Sequence, residues 1–117
     1  MIPPTVRIFV CVEPQDMRRS FDGLALVARE KLGEDPRSGA LFCFANKRMN
    51  RLKVLWWDPT GFCILYKRMH RAVIELPHRD GRAGSVRIDG RELRSLLAGV
   101  QKETRRRKVL TRDRKSI

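Results

Sequence analysis

The tetrapeptide Asp58-Pro59-Thr60-Gly61 constrains this chain more than any other stretch. It stands between two apolar-rich runs, residues 52–57 and 62–68, with Asp, Pro and Gly at the first, second and fourth positions of a type I turn. The two runs therefore fold back on each other as antiparallel strands. A third strand, residues 41–45, precedes them across the polar loop 46–50, whose bounding Asn46 and Asn50 tolerate left-handed backbone and suit a longer hairpin connection. The period of two along the middle strand sends Leu52, Val54 and Trp56 to one side and Lys53, Leu55 and Trp57 to the other. One face of this meander is apolar throughout and the other is amphipathic.

The remaining segments read as cover for that sheet or extensions of it. Residues 6–12 form an apolar run broken only by Arg7, the pattern of a strand buried on both faces, and a central place in the sheet is expected for it. Asp16 is placed to cap a helix running to about Leu32, with Met17, Phe21, Leu24, Ala28 and Leu32 as its apolar stripe. Gly23 inside that helix implies that another backbone comes close there, or that the helix starts later. Residues 34–39 are turn-forming, residues 72–76 suit a short edge strand ended by Pro77, residues 80–84 a flexible loop, and residues 85–88 another short strand. Asp89 caps a second helix over residues 91–98, with Leu93, Leu96, Leu97 and Val100 at helical spacing and Gly99 marking its end. The fold class expected is α+β: an antiparallel sheet of about four to six strands, one long helix on its apolar face and a short C-terminal helix.

At 117 residues the chain suits one domain, here residues 1–100. From Gln101 the composition changes, with eight Lys or Arg against two acids up to Ile117, and such a run reads as a disordered cationic tail. Over the whole chain 26 Lys and Arg face 13 Asp and Glu, a net charge of +13 that points to a polyanionic partner. No apolar stretch approaches the ~18 residues of a membrane span and no cleavable leader is visible, so a cytoplasmic, nucleoid-associated protein without a membrane partner is expected. The odd and scattered Cys11, Cys43 and Cys63 read as small core side chains, and no Cys or His pair starts a metal site.

With these elements placed, a resemblance can be stated. Asp16-Met17-Arg18, Phe21-Asp22-Gly23-Leu24, Asp35-Pro36 with Ser38-Gly39, Phe42, Phe44, Asn46, Leu55-Trp56-Trp57-Asp58, Gly61-Phe62 and Tyr66-Lys67-Arg68 together resemble the small accessory proteins, called TnpB, of the insertion-sequence-sixty-six family of mobile elements. The likeness spans about residues 6–77. It implies a role in transposition beside a separate, larger transposase of the same element. It supplies no roles for individual side chains.

The candidate nucleic-acid contacts come from charge and exposure. They are Arg18 and Arg19 at the helix start, and Arg48, Arg51 and Lys53 on the first hairpin. Lys67, Arg68 and Arg71 follow at and beyond the end of the third strand, and Arg105, Arg106, Arg107 and Lys108 lie in the tail. The hairpin loop and the end of the third strand need not share one end of a meander, so contiguity stays open. Trp56 is expected in the core. Trp57, sharing its side with Lys53, either offers a surface that stacks on a base or anchors a protein partner, or packs beneath the tail or second helix. His70 and His78 have no nucleophile or paired carboxylate at a productive spacing, and Asp16, Asp22 and Asp58 read as cap, helix surface and turn. The expectation is a non-catalytic accessory factor, without cofactor, that binds DNA through basic surfaces. The alternative is an interaction subunit docking on the transposase.

Overall fold

The computed structural model describes residues 5–77 and 84–101. Five strands form one sheet: β1 (Ile8–Cys11), β2 (Leu41–Ala45), β3 (Arg51–Asp58), β4 (Gly61–Arg68) and β6 (Ser85–Ile88), in the order β4-β3-β2-β1-β6. The expected meander is there, β2, β3 and β4 pairing antiparallel with no break in register. One pair differs from expectation: β1 runs parallel to β2, Phe9 beside Phe42, while β6 closes the far side of β1 antiparallel. Joining two parallel strands requires a crossover, and α1 (Phe21–Glu30) supplies it. β1 is interior, as its apolar run implies, but β2 takes the middle position.

The first helix is shorter than its apolar stripe suggested, ten residues in place of a run from Asp16 to Leu32. Asp16 does not cap it. Its carboxylate accepts from the Arg18 amide at 2.8 Å and grips the Arg18 guanidinium, while Arg19 N–H reaches Asp16 C=O at 3.1 Å, so residues 16–19 form a separate turn. The helix then starts at Phe21, which is exposed, and buries Leu24, Val27 and Ala28. Gly23 thus lies in the first turn, where what comes close is the Arg19 stem, 3.3 Å from where a Cβ would stand, and not another backbone.

The two faces of β3 are as the period of two predicts, but their cover is exchanged. Helix α1 lies over the amphipathic face, where Leu24, Val27 and Ala28 meet Cys11, Phe42, Phe44 and Leu55. The strictly apolar face, with Leu52, Val54, Ile8 and Val10, packs against Met69, Ala72, Ile74 and the Leu93 and Leu96 side chains of α2 (Gly90–Ala98). Both faces of the sheet are buried, so the domain has three layers. Lys53 made the first face look unfit for a core. That lysine is itself buried, at 7% exposure, and its amine is bonded to two backbone carbonyls, as described below.

Helix α2 begins as its sequence promised. Asp89 accepts from the Glu92 amide at 2.8 Å and Glu92 Oε1 accepts from the Asp89 amide at 3.2 Å, a closed capping box. Asp89→Ala is expected to cost about 1 kcal/mol in urea denaturation, with Asp89→Ser restoring most of it. Gly99 ends the helix with φ of 70°, and a Cβ there would sit 3.0 Å from Val73 C=O. That close approach exists because Val100 leaves the helix and enters β7 (Val100–Gln101), paired with β5 (Ala72–Val73) in a separate two-stranded ribbon. Residues 72–76 therefore contribute a two-residue strand outside the main sheet. The 80–84 loop, apart from Gly84, and the tail beyond Gln101 lie outside the described residues. Cys43 is sealed between the layers, where burial pushes its thiol up to about 12, and Cys11 is likewise buried with a raised thiol. Among the described residues no helix is long and apolar enough to cross a membrane.

Candidate nucleic-acid interface

The loop at residues 46–50 is built by Asn46 in a way its composition only half foretold. Its Oδ1 accepts from the Asn50 amide at 3.0 Å and the Arg51 amide at 2.9 Å, its Nδ2 donates to Asn50 Oδ1 at 2.6 Å, and the left-handed position falls on Met49 (φ 57°). Two further bonds tie the end of β4 and the segment beyond it to this loop: Met69 N–H to Asn50 C=O and Ile74 N–H to Met49 C=O, both 2.7 Å. One end of the sheet thus gathers the loop, the start of β3 and the end of β4.

This arrangement brings part of the basic set to one end of the sheet. Arg51 stands directly opposite Arg68 in the β3–β4 register, with exposed Lys47 and Arg48 in the adjoining loop and Arg71 three residues past the strand in a left-handed conformation. Arg51 Nη1 donates to Tyr66 Oη at 2.9 Å, and the Tyr66 ring, 48% exposed, lies on the same face between the two arginines and Lys53. Tyr66 was not singled out from the sequence beyond its part in the family resemblance. Its signal was there: an aromatic two residues before Arg68 on the same side of an edge strand.

Other expected members lie elsewhere or are already occupied. Lys53 Nζ points inward, donating to Met17 C=O and Arg19 C=O at 2.7 Å each beneath the Tyr66 ring at 4.7 Å. It fastens the 16–19 turn to the sheet and offers no free ammonium at the surface. Lys67 projects from the other face of β4 and donates to Leu97 C=O at 2.6 Å, closing the last turn of α2. Arg18 is exposed but neutralised by Asp16, whose carboxyl this hydrogen-bonded pairing holds at about 2. Arg19 is exposed beside it. Arg105, Arg106, Arg107 and Lys108 lie outside the described residues.

Trp57 occupies the opposite end of β3, about 20 Å from Arg51 at the rise of an extended strand. It is half-buried, edge-on to Phe62 at 4.9 Å, with the Arg37 guanidinium 4.9 Å above its ring. Helix α2 lies over the other face of the sheet, and a residue of the turn before β2 covers Trp57. Beside it a shallow groove of about 170 Å³ is lined by Asp22, Leu26, Arg29, Arg37 and Phe62, with both signs of charge on its walls. Asp58 only builds its turn, accepting from Thr60 N–H at 2.8 Å and Gly61 N–H at 3.0 Å, and these bonds lower its carboxyl. Among the described residues no three His, Cys, Asp or Glu side chains gather to hold a metal.

The comparisons with known proteins agree with the resemblance read from the motifs. Over residues 6–107 the chain matches the family described as IS66 Orf2 like protein. It is 36% identical to the uncharacterized protein y4hO of Sinorhizobium fredii over 95 residues, 81% of either chain. It is 31% identical to the uncharacterized protein y4jC of the same organism over 117 residues, 98% of either chain. No solved structure matches. The chain belongs to the IS66 Orf2-like family and, through it, to the accessory proteins of insertion-sequence transposition.

Proposed function

We propose that the protein is a non-catalytic accessory factor that holds DNA by its phosphates at the corner formed by Arg51, Arg68, Tyr66 and the 46–50 loop. The observation that carries this is the cross-strand pairing of Arg51 with Arg68. Like charges directly opposed on a sheet destabilise it, and among the described residues none of the three ion pairs reaches this corner. A fold that tolerates unneutralised cations side by side, with Lys47 and Arg48 next to them, gains from an anion that bridges them. Duplex phosphates fit that need, and the exposed Tyr66 ring adds a surface for sugar or an unstacked base. Three aspartates serve the fold: Asp16, Asp58 and Asp89 are each committed to a turn, a guanidinium or a helix cap.

A second reading rests on the mixed-charge groove beside Trp57. With half-exposed Leu26 on its wall, it suits a protein surface better than a polyanion, and the transposase of the same element is the partner that reading names.

Fluorescence anisotropy with labelled random-sequence duplex, titrated between 50 and 200 mM salt, tests the first reading. The full chain is expected to bind with weak sequence preference and a steep salt slope. The double variant Arg51→Ala/Arg68→Ala should lose roughly tenfold or more in affinity and about two phosphates from the slope while melting at an unchanged or higher temperature. Affinity indifferent to salt, or a double variant that binds like the wild type, overturns it.

A further inference from the structure

The sheet ends on β4, and over most of its length that edge lacks the usual protections, its charges being confined to Lys67 and Arg68 at the end. Its eight residues pair with β3 one for one, without a bulge, and contain no proline; Gly61 to Leu65 carry no charge. The opposite edge, β6, is half as long and carries Arg87 in its middle. Leu65, at 42% exposure, and Tyr66 stand out on the two sides of β4. A long, straight, apolar edge is a template for another strand.

The direction in which its amides point follows from the turn. Two residues separate Asp58 from Gly61, so that pair and every second one after it, Trp56 with Cys63, Val54 with Leu65 and Leu52 with Lys67, exchange the ladder bonds. The bond from Met69 N–H to Asn50 C=O continues the same alternation past the strand. The amides and carbonyls of Phe62, Ile64, Tyr66 and Arg68 therefore face outward.

We propose that a second copy of this chain occupies this edge, the two β4 strands pairing antiparallel about a twofold axis at Leu65. Charge selects this occupant and this register. With Leu65 opposite Leu65, Ile64 meets Tyr66 and Phe62 meets Arg68 on the α1 side, where the guanidinium lies over an aromatic ring. On the other side Lys67, whose amine donates to Leu97 C=O, falls opposite Cys63, whose Sγ lies 3.5 Å from Asp58 Oδ2, so the cationic end of each strand is set toward the acid that opens the turn into the other. A parallel pairing would instead place Lys67 and Arg68 against their own copies. Because the axis is perpendicular to the sheet, both Arg51–Arg68 corners end on one face of a ten-stranded sheet.

The test uses the full chain without DNA, so that its outcome is independent of the DNA-binding reading. Sedimentation at 1–100 µM, roughly the range in which weak homodimers form, is expected to show a monomer–dimer equilibrium. Leu65→Arg places two like charges at the axis and should weaken self-association at least ~100-fold, with an unchanged melting profile because the side chain is partly exposed. In Leu65→Cys the two thiols meet at a non-hydrogen-bonded pair, about 4.5 Å between Cα atoms, and mild oxidation should give a covalent dimer absent from Leu26→Cys on exposed α1. A wild-type monomer throughout the range overturns the proposal. So does a dimer that survives Leu65→Arg, or a Leu65→Cys protein that fails to cross-link.

Discussion

Lys53→Ala is expected to destabilise the domain by roughly 3–5 kcal/mol, although the residue removed is a lysine from a strongly cationic chain. Its amine makes two charge-assisted bonds to carbonyls, each in the range of about 1.5–3 kcal/mol, and its stem fills space between β3 and the 16–19 turn. Removing it leaves Met17 C=O and Arg19 C=O without their donor and releases the turn that leads into α1. Lys53→Met keeps the stem and should cost less than Ala but still about 2 kcal/mol. Urea denaturation of the three proteins gives the order directly. A Met variant as stable as the wild type would mean that burying the ammonium costs as much as its bonds return. At temperatures where the variants remain folded, neither should change DNA affinity, because this amine faces inward; a loss like that expected for Arg51→Ala/Arg68→Ala would place Lys53 in the interface after all.

That lysine also shows where sequence reasoning reached its limit. The period of two correctly separated Leu52, Val54 and Trp56 from Lys53, Leu55 and Trp57, and the turn at residues 58–61 and the cap at Asp89 were legible because their chemistry is confined to neighbouring residues. Which helix covers which face was not legible, because the acceptors that make Lys53 acceptable in a core are backbone carbonyls more than thirty residues away and backbone has no signature in composition. The parallel β1–β2 pair was readable in principle. A strand buried on both faces, a helix and a second strand form the order of a crossover unit, and the meander's own antiparallel signal overshadowed it. The basic corner was readable too: counting back from the Asp58 and Gly61 pair sets Arg51 against Arg68 without any coordinates. Trp57 was harder, since its cover is Arg37, held by a turn whose fold depends on Asp35 accepting from the Arg37 amide at 2.9 Å.

The tryptophan pair suggests the costliest aromatic deletion in this chain, and the packing moves that expectation elsewhere. Trp56 lies on the α2 side near the Pro59 end of the sheet and Trp57 on the α1 side beneath Arg37; both keep part of their surface in water. Phe42 and Phe44 keep none. They sit on the middle strand under α1, fully buried, with the Phe9 ring stacked 5.7 Å from Phe42 and Leu24, Val27 and Ala28 above them. Phe42→Ala should therefore cost about 3–5 kcal/mol, the full transfer and cavity cost of a core aromatic, because strands on both sides of β2 prevent the site from collapsing. Trp56→Ala and Trp57→Ala should each cost about 1–2 kcal/mol, in proportion to the smaller area they bury. For Trp57 part of that loss comes from the guanidinium contact and should be shared by Arg37→Ala, so the double variant should cost less than the two single changes together. Thermal and urea melts of these five variants against the wild type decide it. If Trp56→Ala proves as damaging as Phe42→Ala, Trp56 is covered more completely than the described residues account for, and the stability of the domain centres on the β3–β4 hairpin and not on β2.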